Sequence, residues 1–189
     1  GQRDSNSFYV PSNYGPLLLD TGAATTQLRK SALTAGLAPV GMKEGHGIAG
    51  SKDQEMAIVE ELQIGNIREN QLPVTLDDTE GILGCDVLKN HPFTLDTQAD
   101  MLTWIPPFTD GLRGNLGQRN YLYVNIQIGG EDCLALVDTG ASCSILDEAF
   151  FAKVFGEAEE TRAEQGTDWT GAAFDTRVLP LEGVVIGGV

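Results

Sequence analysis

Two stretches of the chain share one pattern, in which an apolar run ends abruptly at Asp-Thr-Gly-Ala. Residues 16–19 read Pro-Leu-Leu-Leu ahead of Asp20, and residues 134–137 read Leu-Ala-Leu-Val ahead of Asp138. A short apolar run that stops at turn residues is typical of a buried strand, and glycine permits turn conformations that a side chain opposes. The pattern therefore predicts a buried strand and a tight turn at each tetrad.

The landmarks that follow the two tetrads recur in the same order, which indicates an internal repeat. The tetrads lie 118 residues apart. A segment framed by glycines, 45–50, recurs as 166–171 after 121 residues, and the segment 62–65 recurs as 184–187 after 122 residues. Such small drifts between ordered landmarks are what two copies with minor insertions would show.

Between these landmarks the sequence predicts short β-strands with a few helical turns. The segments 56–59 and 72–76 are rich in the residues that strands favour. After each tetrad the sequence predicts a short helix closed by a glycine, over 28–35 in the first copy and over 147–155 in the second. The expected fold is all-β, with short helices.

The division into two copies predicts two domains, or lobes. The first is expected over residues 1–107 and the second over residues 119–189. Between them, residues 108–118 are expected to form a linker, because this part of the chain is rich in proline and glycine.

Composition and charge exclude several classes of partner. The chain has 27 acidic and 12 basic residues, a net charge of −15 and a pI near 4.3. A protein that binds nucleic acid needs a basic face, so we expect no nucleic-acid partner and no docking on anionic lipid. The sequence has no apolar run of about 18 residues, so we expect no insertion into a membrane.

Cysteine and histidine are too sparse to suggest a metal site. The three cysteines are an odd number without a CxxC pair, and there are two histidines. Neither a disulfide framework nor a zinc site is expected. Cys133 and Cys143 can form a disulfide if the segment between them folds back, and otherwise both are free thiols.

The repeated motif resembles the aspartic proteases, specifically the retropepsin-like (retroviral-type) branch in its bacterial, tandem single-chain form. The signature of that family is an apolar pair before Asp-Thr-Gly-Ala in each lobe, and a later apolar-apolar-Gly that packs beneath the Asp loop. The first copy has this later element within Gly81–Leu88, which reads Gly-Ile-Leu-Gly-Cys-Asp-Val-Leu. The resemblance covers nearly the whole chain and implies two tandem acid-protease lobes related by a pseudo-twofold axis.

The resemblance implies that Asp20 and Asp138 form a catalytic dyad. Two carboxylates placed face to face cannot both ionise without a large free-energy cost, so they share one proton. The implied function is an aspartic endopeptidase that hydrolyses extended polypeptides without a metal or another cofactor. The residues implied to support the dyad are Thr21, Gly22, Ala23, Thr139, Gly140 and Ala141. Those implied to lie under the first Asp loop are Ile82, Leu83 and Gly84.

By the same resemblance, the two glycine-framed segments are flaps that close over a peptide or protein substrate and exclude water. The alternative is that they are ordinary hairpin turns. The flap candidates are Gly47, Ile48, Ala49, Asp168, Trp169 and Thr170. We expect Asp86 to cap a short helix instead of acting as a third acid, and we expect His46 and His91 to be surface or turn residues.

The second copy departs from the family pattern at its end. By the spacing of the repeat, its apolar-apolar-Gly element would fall beyond Val189. We therefore expect a second lobe truncated at its C-terminal end, in a chain that is part of a longer protein. The segment ahead of Asp20 is also about four residues shorter than its match ahead of Asp138, from Val10 and Val124 respectively.

Three questions stay open at the level of the sequence. A monomeric pseudo-dimer is the simplest assembly because one chain carries both aspartates, but a homodimer is the alternative. A non-catalytic module that binds peptides or assembles is the competing function, since a fold does not guarantee activity. The compartment is unknown, with a periplasmic or secreted location suggested by exported bacterial relatives of the family.

Overall fold

The structure is a computed structural model that describes residues 7–105, 114–156, 162–178, 181 and 183–187. Within these residues the chain is mostly β, which confirms the all-β class expected from the sequence. Residues 108–113 of the expected linker lie outside the described residues. The strands of the first half are β1 (Tyr9–Ser12), β2 (Gly15–Leu19), β3 (Gln27–Arg29), β4 (Gly41–His46), β5 (Ser51–Ile64), β6 (Ile67–Asp77), β7 (Gly81–Leu83), β8 (Phe93–Asp96) and β9 (Met101–Trp104).

Six further strands follow in the second half, which also contains most of the helical residues. Helix α1 (Cys85–Leu88) follows β7, helix α2 (Glu148–Phe155) follows the second tetrad, and a 3-10 helix spans Gln118–Asn120. The strands are β10 (Asn115–Leu116), β11 (Leu122–Ile128), β12 (Glu131–Leu136), β13 (Arg162–Thr167), β14 (Ala173–Val178) and β15 (Val184–Ile186).

The chain divides into two compact units that alternate along the sequence. The described residues of the first unit fall within 7–42, 55–124 and 136–143, and those of the second within 43–54, 125–135 and 144–187. Both tetrads belong to the first unit, and both glycine-framed segments belong to the second. The two units are therefore not the same divisions as the two sequence copies.

The largest sheet has seven strands in the order β1-β2-β7-β3-β6-β5-β4, and most of its residues belong to the first unit. Strand β2 pairs with β1 in an antiparallel hairpin and with β7 in parallel, where Leu17 lies opposite Gly81 and Leu19 opposite Leu83. Strands that are buried on both faces read as continuous apolar runs. Burial on both faces therefore accounts for the Leu-Leu-Leu run of β2, the strand that leads into the first Asp loop.

The core of the protein lies in this unit. Its most deeply buried apolar side chains come from β2, β3, β5, β6, β7 and α1. Burial of these side chains contributes about 0.8 kcal/mol for each CH₂ group, and it is the main stabilisation of the region around the first Asp loop. They are Leu17, Leu19, Leu28, Val59, Leu62, Val74, Leu83 and Val87.

The second unit has much less buried apolar surface. It contains the antiparallel β13–β14 hairpin, helix α2, and most of a sheet in which β11 has β12 on one side and β10 and β15 along the other. Among the described residues of this unit, Ile128 is the one buried apolar side chain. Leu134 of β12 and Ile186 of β15 are 60% and 49% exposed.

The predicted helix after the second tetrad is confirmed. The Asp147 side chain accepts a hydrogen bond from the Phe150 amide at 3.0 Å, which caps the N-terminus of α2. Gly156 ends the helix with a positive φ of 64°, a conformation that glycine adopts without strain. Local sequence signals at both ends therefore define this helix.

The predicted helix over residues 28–35 is wrong. Residues 27–29 form β3, which pairs in parallel with β6, and Leu28 is fully buried in the core. The residues that follow form turns, in which Ser31 and Thr34 bond to each other. Burial between two strands outweighs the local helical pattern here.

The cysteines form no disulfide among the described residues, and the two histidines differ in exposure. Cys85, Cys133 and Cys143 are all free thiols, so the Cys133–Cys143 disulfide does not form. His46 is exposed at the end of β4. His91 lies after α1, half-buried, with its Nε2 atom 2.5 Å from Glu69 Oε1.

Candidate active site

The first Asp loop leaves the end of β2 and is supported by β7. The amide of Asp20 donates a hydrogen bond to the carbonyl of Leu83 at 3.1 Å, while Ile82 continues the parallel pairing with β2. A side chain at Gly84 would have its Cβ 2.7 Å from the backbone of Thr25, so only glycine allows this close approach. The Ile-Leu-Gly segment thus lies against the first Asp loop.

The second Asp loop has the same internal hydrogen bonds as the first. In the first loop the Gly22 amide donates to Asp20 Oδ1 at 2.7 Å, and in the second the Gly140 amide donates to Asp138 Oδ1 at 2.9 Å. The exposed Ala141 also donates from its amide to Asp138 Oδ1, at 3.1 Å. Each tetrad therefore folds its own carboxylate back onto its own backbone.

Two threonines join the loops by reciprocal hydrogen bonds. Thr21 Oγ1 donates to the Val137 carbonyl at 2.6 Å, and Thr139 Oγ1 donates to the Leu19 carbonyl at 2.7 Å. Each hydroxyl also accepts from the amide of the other threonine, at 3.1 and 3.0 Å. Because each hydroxyl both donates and accepts across the gap, the four bonds fix one loop against the other.

The two carboxylates lie against the opposite loops. A Cβ atom added at Gly140 would lie 2.5 Å from Asp20 Cγ, and one added at Gly22 would overlap the Asp138 carboxylate. Any side chain at either position would push a carboxylate away. The glycine of each tetrad is therefore required by the aspartate of the other, which explains the pairing of Asp with Gly in both copies.

The surroundings of Asp20 favour its protonated form. Burial, and then the negative charge of Asp138, raise the pKa of Asp20 from 3.8 to about 6, although the Gly22 amide opposes the shift. Asp20 is half-buried, whereas Asp138 is exposed. The pair therefore holds a proton at mildly acidic pH, and the titration belongs to both carboxylates together.

A second network fastens the first Asp loop to helix α1. The Asp86 carboxylate accepts from the Thr26 amide at 2.9 Å and from Thr26 Oγ1 at 2.7 Å, while the Gly84 amide donates to Thr26 Oγ1 at 3.2 Å. Asp86 is not the N-cap residue of α1, because Gly84 occupies that position without a side-chain bond. The Asp86 carboxylate does accept from the Val87 amide of the helix at 3.0 Å, and it also holds Thr26, 60 positions earlier in the chain.

The remaining residues around the first loop are bound mainly through their backbone. The Ala23 carbonyl accepts from the Cys85 amide at 2.8 Å, and the Cys85 thiol donates to the Thr21 carbonyl at 3.2 Å. Burial, and then the charge of Asp20, raise the pKa of this thiol to about 11, so it stays neutral. Sequence reasoning missed Thr26 and Cys85, although both lie within three residues of the motifs.

The predicted flap segments are the tips of two hairpins in the second unit. The β4–β5 hairpin turns at residues 47–50, where Ile48 is 66% exposed, and the β13–β14 hairpin turns at residues 168–172. The tips contact each other: the Ala49 amide donates to Asp168 Oδ2 at 2.8 Å, and Trp169 Nε1 donates to the His46 carbonyl at 3.3 Å. The two tips are thus held together by hydrogen bonds.

No protein-family model matches this chain, and a search of curated proteins finds no significant match. Over the described residues, no group of three or more His, Cys, Asp and Glu side chains is placed to hold a metal ion. Neither helix in the same residues is long and apolar enough to cross a membrane. The geometry of the Asp loops is therefore the main basis for a functional proposal.

Proposed function

We propose that this protein is an aspartic endopeptidase that hydrolyses extended polypeptides, with Asp20 and Asp138 as its catalytic carboxylates. The observation that carries the proposal is the placement of each carboxylate against the glycine of the other loop. Carboxylates that lie this close share one proton at acidic pH. Such a pair can activate a water molecule and polarise a peptide carbonyl in one step.

The unequal burial of the two aspartates supports distinct roles. Asp20, whose pKa is raised to about 6 by burial and by Asp138, is the proton donor to the scissile carbonyl. Asp138 is more exposed and acts as the base that takes a proton from the attacking water. After the tetrahedral intermediate forms, a proton passes to the leaving amine and the C–N bond breaks.

The finer fold that we propose is a pair of tandem retropepsin-like lobes related by a pseudo-twofold axis. It is supported by the equivalent approach of the chain to each Asp loop. The Leu19 amide donates to the Phe8 carbonyl at 2.8 Å, and the Val137 amide donates to the Leu122 carbonyl at 2.9 Å. The reciprocal threonine bonds have the same twofold character, and they support a pseudo-dimer formed within one chain.

Extended peptides commonly bind to proteins by adding a strand, with alternate side chains in pockets. The flap candidates at residues 47–49 and 168–170 are the segments that we propose to contact such a peptide. The substrate proposed is therefore an unfolded or extended polypeptide.

Substitution of either aspartate tests the proposal. Asp20→Asn and Asp138→Asn should each lower kcat for cleavage of a denatured protein by about 100- to 10,000-fold, because either change removes the shared proton or the base. Asp78→Asn, which alters an exposed carboxylate in the same unit, is the matched control and should leave kcat unchanged. Cleavage that persists at the wild-type rate in either dyad variant would overturn the assignment.

A non-catalytic peptide-binding module is the second candidate function. It is favoured by the exposure of the strand that leads into the second Asp loop, where Leu134 and Leu136 are 60% and 38% exposed. A catalytic dyad needs two firmly held carboxylates. Saturable peptide binding by the wild-type protein, without any cleavage between pH 3 and pH 8, would favour this alternative.

A further inference from the structure

We infer that Asp168 is a positioning residue that holds the tip at residues 45–50 in place for peptide binding. The inference deepens the proposed function and depends on it only for its effect on peptide binding. Within the second unit, the Asp168 carboxylate accepts hydrogen bonds from both hairpins.

The two oxygens of Asp168 have different partners. Oδ1 accepts from Thr170 Oγ1 at 2.5 Å, from the Thr170 amide at 2.9 Å and from the Ala172 amide at 3.2 Å, all within its own turn. Oδ2 accepts from the Ala49 amide at 2.8 Å, 119 residues away in the chain. One oxygen thus shapes the β13–β14 turn, and the other fixes the β4–β5 tip against it.

Three glycines of the β4–β5 tip fit the opposite tip. A Cβ atom at Gly45 would lie 2.5 Å from Trp169 Cη2, and one at Gly50 would lie 2.8 Å from the Ala172 Cβ atom. A Cβ atom at Gly47 would overlap the Asp168 carboxylate. Each glycine faces a different part of the other hairpin, so the contact is specific in shape as well as in hydrogen bonding.

The Asp168 contact persists across the pH range in which the dyad titrates. Hydrogen bonds from the Thr170 hydroxyl, and next from the Ala49 amide, lower the pKa of Asp168 to about 2. The pKa of Asp20 is about 6 because of burial and the charge of Asp138. Asp168 therefore stays ionised, and keeps accepting from Ala49, at the acidic pH values where the dyad carries its shared proton.

Loss of the Asp168–Ala49 hydrogen bond should affect peptide binding more than the rate of hydrolysis. Asp168 fixes the β4–β5 tip before peptide arrives, so that less conformational freedom is lost on binding. Loss of the Oδ2–Ala49 bond should therefore weaken peptide affinity, and it should leave the rate of the bound complex nearly unchanged.

The test uses Asp168→Asn, with Asp175→Asn as the matched control. Asp175 lies on the same hairpin, is exposed, and accepts from Gln165 instead of from the other tip. Comparison of the two variants separates loss of the contact between tips from a general effect of removing a carboxylate from this hairpin.

Two measurements are made on each variant. Amide hydrogen exchange at Ala49, followed by NMR, should accelerate about 10-fold or more in Asp168→Asn, because a bond to a charged acceptor is lost. The dissociation constant for a fluorescein-labelled unfolded polypeptide, measured in the Asp20→Asn background to prevent turnover, should rise about 10-fold. In the active background KM should rise by the same factor, with kcat within about twofold.

Each outcome decides a different point. Unchanged exchange at Ala49 in Asp168→Asn would overturn the contact itself. Faster exchange with unchanged peptide affinity, or an equal loss of affinity in Asp175→Asn, would overturn the positioning role. A wild-type protein that binds the polypeptide but never cleaves it would refute the proposed hydrolysis, and the affinity comparison would still decide the role of Asp168.

Discussion

The two Asp-Thr-Gly-Ala loops have the same sequence and the same internal hydrogen bonds, but their surroundings differ. Before the first loop, Leu18 is 6% exposed, whereas its equivalent before the second loop, Leu136, is 38% exposed. The Asp20 amide bonds to β7 through Leu83. Among the described residues, no strand takes the place of β7 beside Asp138.

This comparison separates what the tetrad determines from what its environment determines. The tetrad alone is sufficient for the hydrogen bond from the glycine amide to the aspartate carboxylate, since this bond is present in both loops. Burial depends on neighbouring strands, and it is burial first that raises the pKa of Asp20. Identical motifs can therefore hold carboxylates in unequal surroundings, and on the proposed function this difference separates a proton donor, Asp20, from a base, Asp138.

The largest expected contrast concerns stability. Leu18→Ala should lower the free energy of unfolding by about 2–5 kcal/mol, because it leaves a cavity in the core. Leu136→Ala at the equivalent position should cost about 1 kcal/mol or less, because that side chain already meets solvent. Urea denaturation of both variants beside the wild type measures the difference. Equal losses would mean that the second loop is covered as well as the first.

Substitution of the two loop threonines, in contrast, should lower the free energy of unfolding by similar amounts. Thr21→Val and Thr139→Val each remove one hydroxyl that donates to, and accepts from, the other loop. Each should therefore cost about 1–3 kcal/mol in the free energy of unfolding, since the partners are left unpaired. Thr→Ser at the same positions keeps the hydroxyl and is the control. A loss confined to one threonine would show that the loops do not hold each other reciprocally.

The pH dependence of stability should reveal the covered carboxylate. Since the native pKa of Asp20 is about 6 against an ordinary value of 3.8, the native state binds more protons than the unfolded state between these values. The free energy of unfolding should consequently fall as the pH rises from about 4 to about 7, by about 1–3 kcal/mol. Asp20→Asn should remove this part of the pH dependence. Parallel stability curves for wild type and variant would contradict the raised pKa.

Local sequence signals predicted the parts of the fold that are determined locally. Helix α2 begins at a capping Asp147 and ends at Gly156, as expected. The repeated apolar run and tetrad correctly predicted a strand and a loop in each copy, but the prediction that both strands are buried is wrong for β12. The adjacency of Asp20 and Asp138 could be inferred only through the resemblance to a known family, since no local signal joins residues 118 positions apart.

Long-range contacts account for what sequence reasoning missed. Residues 28–35 look helical, but Leu28 is drawn into the core as part of a strand. Asp86 looks like a helix cap, but its carboxylate bonds to Thr26 across the site. The contact between Asp168 and Ala49 likewise depends on two hairpins meeting. In each case a distant partner decides the role, and single-sequence patterns do not contain that partner.

The most direct test of the proposed dyad is a digest of a denatured protein mixture at pH values from 3 to 8. The wild type should cleave it, with activity that declines as the pH rises through about 6, where Asp20 loses its proton. Asp20→Asn and Asp138→Asn should both fail to cleave across the whole range, despite the unequal burial of the two residues. Cleavage by either variant at the wild-type rate, or none by the wild type at any pH, would contradict a shared catalytic pair.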